Sequence, residues 1–419
     1  MMRAGTIIVG TGQAGFQTAA SLRADGYLEP ITLIGEEPHI PYQRPPLSKG
    51  FLLGKQDADS IELRPAAFFN DHQIILLAGE RVRAISRGRR MVEIESGGQL
   101  SYDSLVLATG ACNRLLKVDG AELDGVLYLR SLAEAILIKE HLVASQKVVV
   151  IGGGFIGLEL AAVASQLGKN VTVVEALPRL MSRVVAPVIS DFFREYHASQ
   201  GVRILCGKSV TQIFGDGGKV RGVRLATGED IPADLVLIGI GIIPSTELAA
   251  TAALPVSNGI SVNEFLQTAD PDIFAIGDCA EYPNEFAGGR IRLESVQNAA
   301  DQAQCVAAAI AGHPAPYKAL PWFWTDQFEI KLQMAGISSG HDRVVMRGTA
   351  ESRKFSIFYF RREKLIAIDS INRPLDHMIG RRLIAAGSPV TPELAADENA
   401  DLKKLAITSE FAPHGNSPI

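Results

Sequence analysis

The chain has 419 residues, of which 47% are hydrophobic and 21% charged. That length exceeds the roughly 150 residues of one common domain, and the composition excludes a disordered chain, a charged fibre and a small disulfide-stapled scaffold. With 41 basic against 46 acidic residues the formal charge is -5, so overall attraction to phosphate is no basis for activity and nucleic acid is not an expected partner.

Cys112, Cys206, Cys279 and Cys305 lie far apart, with no CxxC pair and no Cys/His cluster at ligand spacing. No metal site and no dithiol relay is expected, and the plain reading is four buried, reduced thiols in a cytoplasmic protein. The residues after Met1 run at once into Thr6–Val9 without an apolar stretch of signal-peptide length. The longest apolar runs, Val148–Leu160 and Leu235–Ile243, are broken by glycine or fall short of the ~20 residues that cross a bilayer, so no membrane association is expected.

In chain order, Thr6–Val9 is a β-branched strand, Gly10-Thr11-Gly12-Gln13-Ala14-Gly15 a GxGxxG turn, and the Ala-rich stretch after it a helix. Gly10 permits the tight turn, Gly12 removes the Cβ that would block a pyrophosphate, and Gly15 lets helix and strand pack closely. A second strand, Pro30–Gly35, ends at Glu36, about 20 residues on, where a carboxylate accepts bonds from both hydroxyls of an adenosine ribose. One such turn is weak evidence by itself, since glycines gather at turns for structural reasons.

The pattern recurs. Leu105–Ala108 reads as a strand whose Thr109-Gly110 end brings backbone close to the first nucleotide. Lys147–Ile151 then leads into Gly152-Gly153-Gly154-Phe155-Ile156-Gly157 and a helix, and Asn170–Val174 ends at Glu175. Two complete fingerprints predict two dinucleotides. Glu175 would repel a ribose phosphate and favours NADH over NADPH, while the nearby Arg179 and Arg183 count the other way. Leu235–Gly239 is the counterpart of Leu105–Gly110, so the chain leaves the first domain and returns to it. Phe274–Gly277 is a short apolar strand ending in Asp278, and a helix begins near Glu294-Ser295-Val296.

Beyond Trp322, Lys354–Phe360 and Leu365–Ser370 alternate like strands and are joined by charged residues 361–364. Between residues 331 and 382 eleven basic residues face five acidic ones, a local excess that would steer an acidic partner; a solvated surface of scattered ion pairs is the plain alternative. The Gly, Asn, Ser and Pro of Pro413–Ile419 predict a mobile tail.

These marks, together with Pro41-Tyr42-Gln43-Arg44-Pro45-Pro46-Leu47-Ser48-Lys49 and Pro321-Trp322-Phe323-Trp324-Thr325-Asp326-Gln327, resemble the FAD-containing, NAD(P)H-dependent ferredoxin reductases that serve cytochrome P450s and aromatic-ring dioxygenases. The resemblance spans nearly the whole chain. It implies an α/β fold of two Rossmann-type nucleotide-binding domains in a glutathione-reductase-like arrangement with a C-terminal α+β domain. The boundaries expected are 1–112 with 246–320 for FAD, 113–245 for NADH and 321–419 for the last domain.

The resemblance further implies that Ala14, Glu36, Arg44, Lys49, Val82, Arg130, Asp278 and Val296 contact FAD, with Gly10, Gly12, Gly15, Ala108, Thr109, Gly110 and Gly277 as the backbone of that site. Gly152, Gly154, Ile156, Gly157 and Glu175 would take NADH. Asp278 would bond the ribityl chain, and the helix at Val296 would aim its positive end at the flavin's pyrimidine edge. Lys49, after stiffening prolines, would sit by the isoalloxazine; an exposed surface lysine is the alternative. Glu159 looks like the family's acid on the nicotinamide side, against a solvated helix-start glutamate. Trp324 is the choice for a flavin-shielding ring, with Trp322 and core packing as competing readings.

Disulfide-reducing cousins carry a cysteine pair after the first fingerprint, and residues 42–49 here have none. Electrons would therefore leave directly from the flavin, one at a time, to a [2Fe-2S] ferredoxin and through it to a P450 or dioxygenase. The alternative is an NADH-responsive flavoprotein of the apoptosis-inducing-factor type that acts through its interactions.

Overall fold

The computed structural model describes residues 4–407, so the Pro413–Ile419 tail lies outside the described residues. The chain folds into two compact units, residues 1–181 with 193–319 and residues 182–192 with 320–419.

In the first unit, five parallel strands lie in the order Ile273–Ala275, Ser104–Leu107, Thr6–Val9, Ile31–Gly35, Ile74–Ala78. The central strand Thr6–Val9 is buried along its whole length, as a parallel strand covered on both faces must be, which is why it reads as an unbroken apolar run. Helices Gln13–Ala24 and Val296–Ile310 pack together through fully buried small side chains, among them Ala19, Ala303 and Ala307. The strand from residue 273 joins the same sheet as the strand from residue 104, so the chain does leave this layer and return.

The outward and returning connections pair with each other, Ala111–Asn113 running antiparallel to Ile242–Pro244. Between them lies a second parallel sheet in the order Arg203–Cys206, Asn170–Glu175, Lys147–Ile151, Leu235–Ile238, Val126–Tyr128. Each sheet is accompanied by a three-stranded antiparallel meander, 82–101 for the first and 210–232 for the second. Among the described residues no helix is long and apolar enough to cross a membrane.

The second unit is a five-stranded antiparallel sheet ordered Trp322–Gln327, Ile330–Gly336, Lys364–Ile371, Lys354–Arg361, Arg343–Thr349. Helix Pro374–Ala386 covers it. The charged connection is shorter than the sequence suggests: Arg361 pairs with Lys364, leaving a two-residue turn with φ of 50° at Arg362 and 61° at Glu363. Positive φ at both central residues is the mirror-image turn that matches strand twist. Residues 182–192 fold with this unit, where the Ala186 N–H donates to the Tyr359 hydroxyl at 3.1 Å and Phe192 meets Phe355 edge-on at 5.2 Å.

The predicted basic excess is reduced here. Lys331, Arg343, Arg347, Arg353 and Arg373 engage carboxylates, and four of their partners, Asp326, Glu329, Glu393 and Glu398, lie outside the window counted in the sequence. Long-range folding supplied the missing negative charges. Lys354, Arg361, Arg362 and Lys364 stay exposed around the two-residue turn.

A buried carboxyl sits at the centre of this sheet. Asp369 accepts a short hydrogen bond from the Tyr359 hydroxyl, and burial pushes its pKa up to about 7 in spite of that bond. Because the folded state holds the proton more tightly than the unfolded chain, Asp369 contributes most at acidic pH, and this contribution falls as pH rises from about 4 to about 7. Asp369→Asn, which still accepts from Tyr359, should raise the melting temperature at pH 8 by about 2–4 °C for each kcal/mol recovered, with a smaller gain at pH 5; melts at the two pH values check the difference.

Candidate active site

Both parallel sheets end in the same local geometry. Gly10 has φ of +114°, and a Cβ there would lie 2.1 Å from the Ala108 carbonyl oxygen. Gly152 has φ of +110°, with the Gly239 carbonyl oxygen at 2.4 Å from such a Cβ. Only glycine fits either position. Gly15 and Gly157 press against the Gly10 and Gly152 carbonyls, where an added Cβ would stand 1.8 and 2.0 Å away, so each helix starts tight against its strand.

Gly12 and Gly154 differ from these. A Cβ at either would meet nothing within 4 Å. Both are the N-cap of their helix, neither makes a side-chain cap, and no acid occupies either first turn. Helices Gln13–Ala24 and Phe155–Gln166 therefore each start beside open space at the N-cap, with the positive end of the helix behind it, which suits a pyrophosphate in each. Ile156 flanks the second opening with its side chain 44% exposed, while Ala14 is buried against Gly277.

The two acids that close the fingerprints are used differently. Glu36 is 73% exposed and only brushes Arg81 at 3.9 Å. Glu175 accepts the Gly153 N–H at 2.6 Å and the Leu177 N–H at 2.7 Å, so it braces its own loop, and each oxygen retains one lone pair for a ribose hydroxyl.

Around the first loop the structure gathers most of the predicted residues. Thr109 Oγ1 donates to the Ser245 carbonyl at 2.7 Å, and the Ser245 N–H returns a bond to the Gly110 carbonyl at 3.0 Å. Arg130 lies over Gly110 and pairs with Asp278 at 2.9 Å. Arg292 donates to the Asp278 carbonyl at 3.1 Å. Helix Val296–Ile310 is capped by Ser295, whose hydroxyl accepts the Asn298 N–H, and Gln302 takes the Gly277 N–H at 2.7 Å. Val82 is buried at the head of its meander.

Lys49 and Glu159 meet across 110 positions of sequence, with Lys49 Nζ 2.8 Å from Glu159 Oε1. Ser48 Oγ donates to the other carboxylate oxygen at 2.5 Å. Glu159 is 2% exposed, so it is not a solvated helix-start glutamate, and Lys49, 22% exposed, is not a free surface lysine. The 3-10 turn Pro45–Ser48 places both Ser48 and Lys49 against the helix that carries Glu159. A buried carboxylate requires such partners.

Arg44 reaches Glu37 at 2.6 Å and the Arg130 carbonyl at 2.5 Å, and Tyr42 donates to the same Glu37. Burial would raise the Glu37 pKa, but the Arg44 charge and the Tyr42 bond outweigh it and hold the carboxyl below its usual range. Glu37, Tyr42, Ser48, Arg292 and Gln302 escaped sequence reasoning as functional residues. Tyr42 and Ser48 stand inside the Pro41–Lys49 motif, which was the available signal; the others carry none.

Trp324 belongs to the second unit. Its half-buried ring lies 5.5 Å from that of Trp322, over which Arg381 sits at 4.9 Å. Cys279 is buried and its thiol pushed up by burial, Cys206 and Cys305 are half-buried, and Cys112 is exposed, which departs from four buried thiols because its hairpin strand is only three residues long. None of the four forms a disulfide. Among the described residues no group of three or more His, Cys, Asp or Glu is placed to hold a metal ion.

Residues 5–303 match the family described as pyridine nucleotide-disulphide oxidoreductase, and residues 322–406 match the reductase C-terminal family. Rhodocoxin reductase of Rhodococcus erythropolis is 48% identical over 97% of this chain and 95% of its own. The chain belongs to the ferredoxin reductases of this family. The crystal structure of the ferredoxin reductase for the CYP199A2 system of Rhodopseudomonas palustris superposes with a TM-score of 0.94 at 48% identity, covering 96% of this chain and 99% of that one. The covalent putidaredoxin reductase–putidaredoxin complex matches with a TM-score of 0.94 at 41% identity, over 97% and 98% of the two chains.

Lys49→Met removes the ammonium from beside a buried carboxylate and should cost about 3 kcal/mol, the low end for breaking a buried ion pair because Lys49 is partly exposed. Lys49→Met with Glu159→Gln, which removes both charges, should recover most of that loss. Denaturant unfolding of the single and double variants gives the two values.

Proposed function

We propose that this protein is an NADH-dependent, FAD-containing reductase that passes electrons singly to a [2Fe-2S] ferredoxin, and through it to a P450 or ring-hydroxylating oxygenase, in the cytoplasm. The observation that carries the reading is the pair of uncapped, side-chain-free helix starts at Gly12 and Gly154 in a chain with no cysteine between residues 42 and 49. Two anionic dinucleotides have seats, and a thiol relay has none. The relatives, reductases in name, favour this over a flavoprotein acting through interactions alone.

Residues 1–112 with 246–320 are proposed to hold FAD and residues 113–245 NADH, with residues 321–419 as the third domain. Bound FAD supplies a ring that accepts a hydride and releases its electrons one at a time. The chain supplies placement and field. Gly12 and Ala14 leave room for the pyrophosphate, and Glu36 presents an exposed carboxylate to the adenosine ribose. Asp278, kept in place by Arg130, offers its second oxygen to the ribityl hydroxyls. Lys49 is fixed by Glu159, which Ser48 in turn holds, so a cation stands at the junction of the two nucleotide halves without needing to be ordered at each turnover. No acid, base or nucleophile of the chain takes part. Four cysteines without a disulfide accord with a reducing compartment.

Anaerobic titration of the yellow holoprotein should bleach it with one equivalent of NADH. NADPH should be poorer by about tenfold, the ~1.4 kcal/mol cost of one added like-charge contact near Glu175. A [2Fe-2S] ferredoxin should then accelerate cytochrome c reduction. A protein that NADH bleaches but no ferredoxin accelerates would overturn the acceptor half of this reading.

A further inference from the structure

Within the first compact unit, residues 37–49 meet residues 130–159 in two polar clusters. One is the Ser48, Lys49 and Glu159 cluster. The other is built on Tyr42, whose ring is buried. Its hydroxyl donates to Glu37 Oε2 at 2.5 Å, accepts the Leu132 N–H at 2.9 Å and accepts from Arg44 Nη1 at 3.3 Å.

The Leu132 N–H is a significant donor. It belongs to the first turn of helix Leu132–Ala144, whose opening N–H groups have no partner inside the helix. Glu134 Oε2 takes the N–H groups of Arg130 at 2.7 Å and Ser131 at 2.8 Å. Leu132 is left to Tyr42. Arg44 holds the carbonyl of Arg130 at 2.5 Å, and the guanidinium of Arg130 holds Asp278 at 2.9 Å. Residues 130–132 are thereby fixed to the first half through a carbonyl, an N–H and a side chain. A further contact across the same boundary, Lys139 Nζ at 5.1 Å over the Phe51 ring, is softer and directionless by comparison.

We infer that Tyr42 is a positioning residue whose phenol oxygen, locked by Glu37 and Arg44, ties residues 130–132 to the first nucleotide half and so fixes the gap across which hydride travels. This rests on the reading that NADH reduces bound FAD. Hydride transfer depends steeply on that gap, since a misplacement of about 1 Å is worth up to ~10²-fold in rate. NADH binding, seated at Gly154 and Glu175, does not sense it.

Tyr42→Phe keeps the ring and deletes the bond to the Leu132 N–H from the joint. In the FAD-loaded protein without NADH, hydrogen exchange of the Leu132 amide should accelerate about tenfold, the loss of one ~1.4 kcal/mol hydrogen bond. The rate constant for flavin bleaching at saturating NADH should fall about tenfold, while the NADH Kd changes less than about twofold. If Tyr42→Phe loses its flavin, Glu37→Gln, which weakens the hold on Tyr42 and Arg44 without opening a cavity, should move both readouts in the same direction. Wild-type exchange at Leu132, or a lowered melting temperature with an unchanged bleaching rate, would overturn the inference. A wild-type protein that NADH fails to bleach would overturn the hydride reading beneath it, and the exchange result still decides the joint.

Discussion

The helices that follow the two Gly-rich turns begin on a glycine without a side-chain cap, and the architecture is arranged around that omission. A helix start normally satisfies its N–H groups with a Ser, Thr, Asp or Asn side chain, as Ser131 and Ser295 do at two other helices in the chain. Gly12 and Gly154 hold the equivalent place and present nothing. Such an opening is stable only if a ligand or water takes the N–H groups, so the sequence forgoes local stability at two points to gain two anion seats. The close approaches of Gly15 to Gly10 and of Gly157 to Gly152 hold each helix at the depth that leaves the seat open.

The two seats are equivalent in backbone and unlike in electrostatics. At the first, Glu36 stands out in solvent and Arg130, Asp278 and Arg292 form a charged rim. At the second, Glu175 is folded back on its own loop by two backbone N–H bonds. A ligand that stays for the life of the protein gains from many contacts, and one that exchanges at every turnover gains from few. The richer rim around the first seat and the self-braced acid at the second match a resident and a visiting nucleotide.

Much of this was legible in the sequence because parallel strands, GxGxxG turns and helix starts are local features. The strands at Thr6, Ile31, Lys147 and Asn170 and the helix at Val296 stand where periodicity and turn residues put them. What escaped depends on distant partners. Glu37 and Gln302 carry no motif, and their roles appear only when Arg44 and Gly277 fold against them. Glu159 was legible as a candidate but its burial was not, because a glutamate five residues into a helix looks the same on paper whether a lysine 110 positions earlier covers it or water does. The ion pairs of residues 331–382 escaped for the same reason, since several of their carboxylates, Glu329, Glu393 and Glu398, lie outside that window.

The remaining step concerns why a member of a disulphide-reductase family with no cysteine in residues 42–49 keeps a buried Lys–Glu pair so close to its nucleotide seats. Burying two charges costs more than their attraction returns unless further hydrogen bonds complete them, and Ser48 supplies one such bond to the second carboxylate oxygen. The pair is therefore poor as a stabiliser and good as a fixed point. It joins the turn after the first nucleotide unit to the helix that opens the second, at the same boundary that Tyr42 and Arg44 bridge on the other side. Two separated joints resist a hinge where one would serve as its axis. With no cysteine in residues 42–49 to relay electrons, the proposed reaction relies on the direct distance between two rings, and a doubly pinned boundary answers that dependence.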